Sequence, residues 1–261
     1  MAITTLDGLI AANKLRLIWQ KTASRTSVAN IPFSVFDQAG NPGAGTLAVG
    51  NTANGIVPTN AIAGYPAIAT PTAFLYLSSV TARSSVACWL DLYDCLFSAG
   101  AYTFNANVTL TSQPSYAGRV LGSNYNGLEL WLEAVTAFTG NLSVQVNYID
   151  QNGNGGDTGA YGTGAALIVG RMALIPMEAG DNGIQGITQV RGTVATAGTF
   201  NVHVMRWLWG GRVNVANMGV SDTLLKTGFP QIFADSALRM VVNADSTATG
   251  LPSIRAVIAD G

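Results

Sequence analysis

The middle and end of the chain are rich in strand patterns, and in several runs apolar and polar residues alternate with a period of two, the spacing that sends successive side chains to opposite faces of a strand. In LELWLEAV (128–135), Leu128, Leu130, Leu132 and Ala134 take one face, and Glu129, Trp131, Glu133 and Val135 the other. LSVQVNYI (142–149) puts Leu142, Val144, Val146 and Tyr148 on one side. FLYLSSV (74–80), ACWLDLYDCLF (87–97), ALIVGRMALI (166–175), GITQVRGTV (186–194), TFNVHVMRWLW (199–209), ALRMVV (237–242) and SIRAVIA (253–259) read as further strands. Turn residues punctuate them at Tyr125-Asn126-Gly127, along 150–156 and at Asp181-Asn182-Gly183,. Strand alternating with turn, with no helix between, predicts a mostly β fold of antiparallel sheets packed as a sandwich or jelly roll.

Two regions break this rhythm. At the start, Thr4-Thr5-Leu6-Asp7 fits a helix N-terminus, and Leu6, Leu9, Ile10 and Leu17 fall at helical spacing,. A short N-terminal helix or arm is expected over 1–25. From 38 to 73, Pro42, Pro58, Pro66, Pro71 and many glycines exclude a regular helix or central strand,. Yet Ile56, Val57, Ile62, Tyr65 and Ile68 are too apolar for a solvated linker. The segment is expected to lie extended over a surface, either that of its own sandwich or that of a neighbouring subunit. The expected organisation is an arm (1–25), a sandwich (26–209) that includes this long loop, and a C-terminal extension (210–261) packed on the same domain. Residues 210–235 are less regular than the rest.

Composition changes the picture in one respect. Charged residues make up 10% of the chain, against roughly 25% in an ordinary soluble domain. Asp37 is the sole charge between residues 26 and 82. A surface of Ala, Gly, Thr, Ser and Asn is easily desolvated when a partner docks, which favours burial in an assembly. The net charge of −1 and the lack of a basic run argue against nucleic-acid binding,. No apolar run approaches the roughly 18 residues of a membrane helix, and the first residues lack a basic leader, so a cytoplasmic protein is expected. If 88–95 is one strand, Cys88 and Cys95 point to opposite faces, about 23 Å apart. Two free buried thiols are expected, not a disulfide.

Little in the sequence suggests catalysis. His203 is the only histidine and alternates with Val202 and Val204, as a strand residue with a local hydrogen-bond partner would. Asp150-Gln151-Asn152-Gly153-Asn154-Gly155 opens like a calcium loop, but its twelfth position is Tyr161 in place of a glutamate,. Glu129 and Glu133 are about 13 Å apart along a strand, too far for paired carboxylates at roughly 5 to 9.5 Å. GTGAALIVG (162–170) lacks the lysine of a phosphate loop,. Trp207 and Trp209 share a strand face and can serve as a sugar-stacking ledge or as core and interface anchors. No enzyme, cofactor or metal is expected.

The opening MAITTLDGLIAA, the pair LWLEAVTAFTGNLSVQVNYIDQNG, the segment IPMEAGDNGIQGITQV and the close GFPQIFADSALRMVV resemble a family of tailed-bacteriophage virion structural proteins. The resemblance is weakest over 38–73 and rests on packing and turn motifs. It implies a particle component assembled in the host cytoplasm. Sandwich proteins that sit on capsid shells as trimeric cement are similar in composition, so a homotrimeric capsid decoration protein bound to the major capsid protein is expected. A tail, baseplate or neck component and a carbohydrate-binding or host-surface module are the alternatives. The contact residues expected for such an assembly are Leu6, Leu9, Ile10, Ile56, Val57, Ile62, Tyr65, Trp207 and Trp209.

Overall fold

Strand follows strand along the chain, and every described pairing of strands is antiparallel. The fold is therefore mostly β, in the sandwich or jelly-roll-like class that the alternation predicts. The computed structural model describes residues 3–68, 75–141, 143–163, 166–192, 197–228 and 230–261. They form two compact units that interleave in sequence. The first is Met1–Gly45, Thr59–Asp94 and Leu208–Gly261, and the second is Thr46–Pro58 and Cys95–Trp207. These do not coincide with the sequential division at residues 25 and 209. Two long strands, Cys88–Thr103 and Thr199–Val213, contribute to both units.

The N-terminal helix is Leu6–Ala11, capped by Thr5, whose hydroxyl accepts from the Gly8 amide at 3.0 Å. Asp7 complements the positive N-terminal end, and the Lys14 ammonium donates to the Ala12 carbonyl at 2.6 Å,. The helical spacing does not extend to Leu17. Residues Asn13–Lys21 are a strand, with Leu17, Trp19 and Lys21 buried between exposed neighbours.

That strand belongs to the main sheet of the first unit, ordered Gly219–Asp222, Leu75–Arg83, Ser253–Asp260, Asn13–Lys21, Gly40–Asn41. Its inward residues Leu17, Trp19, Ile254, Ala256 and Ile258 share one apolar cluster with Leu90, Leu92, Met240 and Val242. The last four come from the strands Cys88–Thr103 and Leu238–Ala244, which pair with each other. Truncating a side chain as buried as Trp19 costs roughly 3–5 kcal/mol.

In the second unit, Ser143–Asp150 and Ile184–Gly192 form a small sheet with Asn107–Thr109 and Gly155–Asp157. Its inward side chains Val144, Val146, Tyr148, Ile187 and Val190 are buried. So is the apolar face of Leu128–Thr136 and Thr199–Val213, with Leu130, Leu132, Phe200 and Val202. The run 166–175 is not one strand. The chain turns at Gly170 (φ +73°), and only Met172–Ile175 pairs with Leu128–Thr136.

Candidate functional site

The sole histidine lies in the second unit, on the face of its sheet opposite to Phe200 and Val202. Strand register sets His203 beside Trp131 and Asn201 beside Glu133, so His203 and Glu133 are diagonal neighbours. Ser98 reaches the ring from the Cys88–Thr103 strand. Its Oγ lies 2.8 Å from His203 Nδ1, and Glu133 Oε2 lies 3.2 Å from Nε2. Cys95 Sγ is 3.3 Å from Ser98 Oγ. A neutral imidazole protonated on Nε2 fits this chain: it donates to the carboxylate and accepts the serine proton on Nδ1. Cys95 and Cys88 are both buried thiols not joined in a disulfide, and burial raises the Cys88 thiol pKa.

Serine, histidine and a carboxylate in a row invite comparison with a nucleophilic triad. Two features separate them. The serine sits on Nδ1 and the carboxylate on Nε2, the reverse of the serine-protease arrangement. Moreover Ser98, His203 and Glu133 are 2%, 1% and 0% exposed, so a substrate has no path to the hydroxyl. The arrangement fastens three strands to one another by polar bonds whose loss would strand buried groups. Neighbouring bonds secure the chain of 46–58 in the same unit. Asn201 Nδ2 donates to the Leu47 carbonyl at 2.7 Å, and the buried Arg119 donates to the carbonyls of Pro58 and Cys95, the latter at 2.9 Å.

The expected contact residues divide by exposure. Leu6 and Ile10 are 64% and 70% exposed, and Leu9 is half-buried on the same helix, which buries no residue at all. Ile62 is exposed, whereas Ile56 and Val57 are half-buried. Tyr65 is buried against Phe36 with ring centroids 4.7 Å apart, and Ile68 is buried as well. The long loop thus spends much of its apolar surface on its own fold. Residues 69–73 lie outside the described residues. The tryptophans part company: Trp207 is 49% exposed, but Trp209 is 2% exposed and donates its indole N–H to Asp222 Oδ2 at 2.9 Å. Trp209 is a core residue, so the two rings do not form a ledge.

The calcium-like run is a turn closed on itself. Asp150 Oδ1 accepts from the amides of Asn152 and Asn154 at 2.8 and 2.7 Å. Burial pushes the Asp150 pKa up, but the hydrogen bonds from Asn154, Asn152 and Gly153 outweigh it and hold it low,. Glu129 accepts from the Trp131 indole at 2.8 Å. Among the described residues no cluster of three metal-ligating side chains occurs, and no helix is long and apolar enough to cross a membrane.

No protein-family model and no curated protein matches the sequence. Solved structures that align include the T=1 particle derived from infectious bursal virus and the T13 particle of infectious bursal disease virus. Both share 11% identity and cover 95% of this chain and 77% of theirs, with TM-scores of 0.18 and 0.19. At such TM-scores neither a shared fold nor a shared function carries over.

Proposed function

We infer that the chain is a non-enzymatic structural protein of a virus particle, of the tailed-bacteriophage kind that its sequence resembles. Within that class we favour a homotrimeric capsid decoration or cement protein docked on the major capsid protein. The observation that carries the reading is the N-terminal helix, which buries none of its residues and holds Leu6 and Ile10 out at 64% and 70% exposure. Covering each such side chain is worth about 1.5–3 kcal/mol, and symmetry multiplies the gain. A partner that binds only the assembled shell stabilises that shell by mass action. The sealed Ser98–His203–Glu133 row supports a non-catalytic role, and the charge-poor surface supports burial against other subunits.

The test is quantitative mass spectrometry of purified particles, with this chain counted against the major shell protein. Hundreds of copies per particle are expected for a decoration protein. A few dozen would favour the tail, baseplate or neck, and absence would overturn the virion reading. The helix is tested by Leu6→Asp with Ile10→Asp, since a deletion reaching Trp19 would remove a core strand. The double variant should fold, yet lose most of its occupancy on the shell.

A further inference from the structure

Cations are scarce in this chain, and most are spent within the fold. Arg25 pairs with Asp37, Arg212 with Asp245 and Lys226 with Asp222. Lys21 is buried against the carbonyls of Gln38 and Pro42. Three arginines stand apart: Arg16, Arg83 and Arg255 are exposed, and among the described residues they make no side-chain hydrogen bond or ion pair.

All three project from one face of the main sheet of the first unit, on three adjacent strands. Arg83 faces Ser253 and Thr81 faces Arg255 across one strand boundary. Ile18 faces Arg255 and Arg16 faces Val257 across the next. Each arginine is therefore one strand over and two residues along from the one before, in a straight diagonal. The Cα steps are about 8 Å and the row about 16 Å long, from ordinary strand spacing and rise. The strands Asn13–Lys21 and Leu75–Arg83 contain no acid, and Asp260, the one acid of Ser253–Asp260, alternates to the other face. Lys14 shares the face, but its ammonium is engaged by the carbonyls at the end of the helix. Like charges on neighbouring strands repel unless an anion lies among them.

The surface beside the row is concave. A depression of about 320 Å³ is lined by Arg83, Arg255, Ile18, Thr81 and Ser253. A second of about 230 Å³ adjoins it, sharing Arg83, Gln20 and Ser253 and adding Leu251. We propose that this groove, lined by Arg83 and Arg255, together with Arg16, which continues the row beyond it on the neighbouring strand, is a docking site for an acidic, extended segment of another protein. Alternate residues of an extended chain are about 7 Å apart, so Asp or Glu at every second position can follow the arginine row. All three cations are arginine, the residue that grips a carboxylate with two parallel bonds and is enriched at protein interfaces where lysine is depleted. Ile18 and Leu251 offer apolar contact between the charges. Nucleic acid fits less well: three cations on a chain of net charge −1 fall short of the six to ten phosphate contacts of a typical binder, roughly. The site does not depend on the virion reading and stands or falls separately from it.

The experiment measures binding of the whole chain to a fluorescent peptide of alternating Asp and Thr, with an Asn-Thr peptide and a single-stranded oligonucleotide of equal charge as comparators. Salt is varied from about 0.05 to 0.5 M. The wild type should bind the Asp-Thr peptide in preference to both comparators. Arg255→Gln, which removes the middle of the row, should weaken binding at least about tenfold, and Arg16→Gln with Arg83→Gln should do likewise. Arg212→Gln, which removes a paired cation elsewhere, should leave it unchanged. Thermal melting checks that each variant is folded. Equal binding by the Arg255 variant, no binding at low salt, or tighter binding of the oligonucleotide would each overturn the proposal.

Discussion

Two sheets in this chain present polar outward faces, and they treat their polar groups in opposite ways. On the small sheet of the second unit the outward side chains hold one another. Asp157 takes both oxygens' worth of hydrogen bonds from Gln145 at 2.8 and 2.7 Å, and another from Asn147 at 2.9 Å. Arg191 bridges Asn147 and Gln189, and Gln189 reaches Asn107 at 2.8 Å. On the main sheet of the first unit, Arg16, Arg83 and Arg255 point outward without such partners among the described residues. Strand register supplies neighbours in both cases. The first face is finished by its own residues, whereas the second carries charge that an outside group would complete. A saturated polar face has few donors or acceptors left for a partner, whereas an unsaturated one offers directional, charge-assisted bonds that must outweigh the desolvation of its charges.

The comparison breaks most readily at Asp157. Asp157→Ala removes the acceptor on which Gln145, Asn147 and the Gly159 amide converge. Half-exposed donors recover part of their bonding from water, so the expected loss of stability is about 1–2 kcal/mol. Denaturant midpoints would show it, and Asp157→Asn, which keeps one acceptor oxygen, should lose less. An Asp157→Ala protein as stable as the wild type would mean that the network is ornamental.

Acid and base should sort the two units. Burial pushes the Asp157 pKa up, but hydrogen bonds from Gln145, Gly159 and Asn147, with the nearby Arg191, outweigh it and hold it low. A carboxyl with a lowered folded pKa stabilises the fold above its unfolded pKa, and that stability drains away as pH falls through the folded value. The first unit holds the converse case. Burial lowers the Lys21 pKa from 10.5 to about 8, with Asp37 pulling it partly back. Between about 8 and 10.5 the unfolded chain then binds more protons than the folded one, so stability rises with pH through that window,. Carbonyls around the ammonium moderate the effect to about 1 kcal/mol. Hydrogen exchange over Asn13–Lys21 should slow, at constant intrinsic rate, as pH climbs through the window, and Lys21→Met should flatten that profile.

The strands of both faces are legible in the sequence because period-two alternation survives wherever one side of a sheet is buried. The helix was legible from Thr5 and Asp7, but helical spacing carried on to Leu17 only by coincidence. Leu15, Leu17 and Trp19 also fit a period of two, and pairing with Ser253–Asp260 decides the matter. The strand read over 166–175 fails at Gly170, whose positive φ turns the chain. Trp209 looked like the twin of Trp207, yet the indole of a buried tryptophan seeks an acceptor, and Asp222 supplies it thirteen residues on. Of the Ser98–His203–Glu133 row only the histidine's need for a partner was legible, not which residues supply it. Its members come from three segments, and only strand register brings them together. The signal was a lone histidine alternating with valines, which needs a polar partner. The interleaved units were not legible either, because each is assembled from segments far apart in the sequence.

The smallest expected effect is the most discriminating. Because the guanidinium of Arg255 has no partner among the described residues, Arg255→Gln removes no bond and relieves repulsion along the row, so its stability should stay within about 0.5 kcal/mol of the wild type. Arg191→Gln, on the other face, removes a cation that bonds Gln189 and Asn147 and should cost more, about 1 kcal/mol. Chemical denaturation of both variants in parallel, at low and high salt, puts the two faces to the same test. If Arg255→Gln instead costs as much as Arg191→Gln, the arginine row is a structural device like the amide network, and the groove beside it loses its claim to a partner.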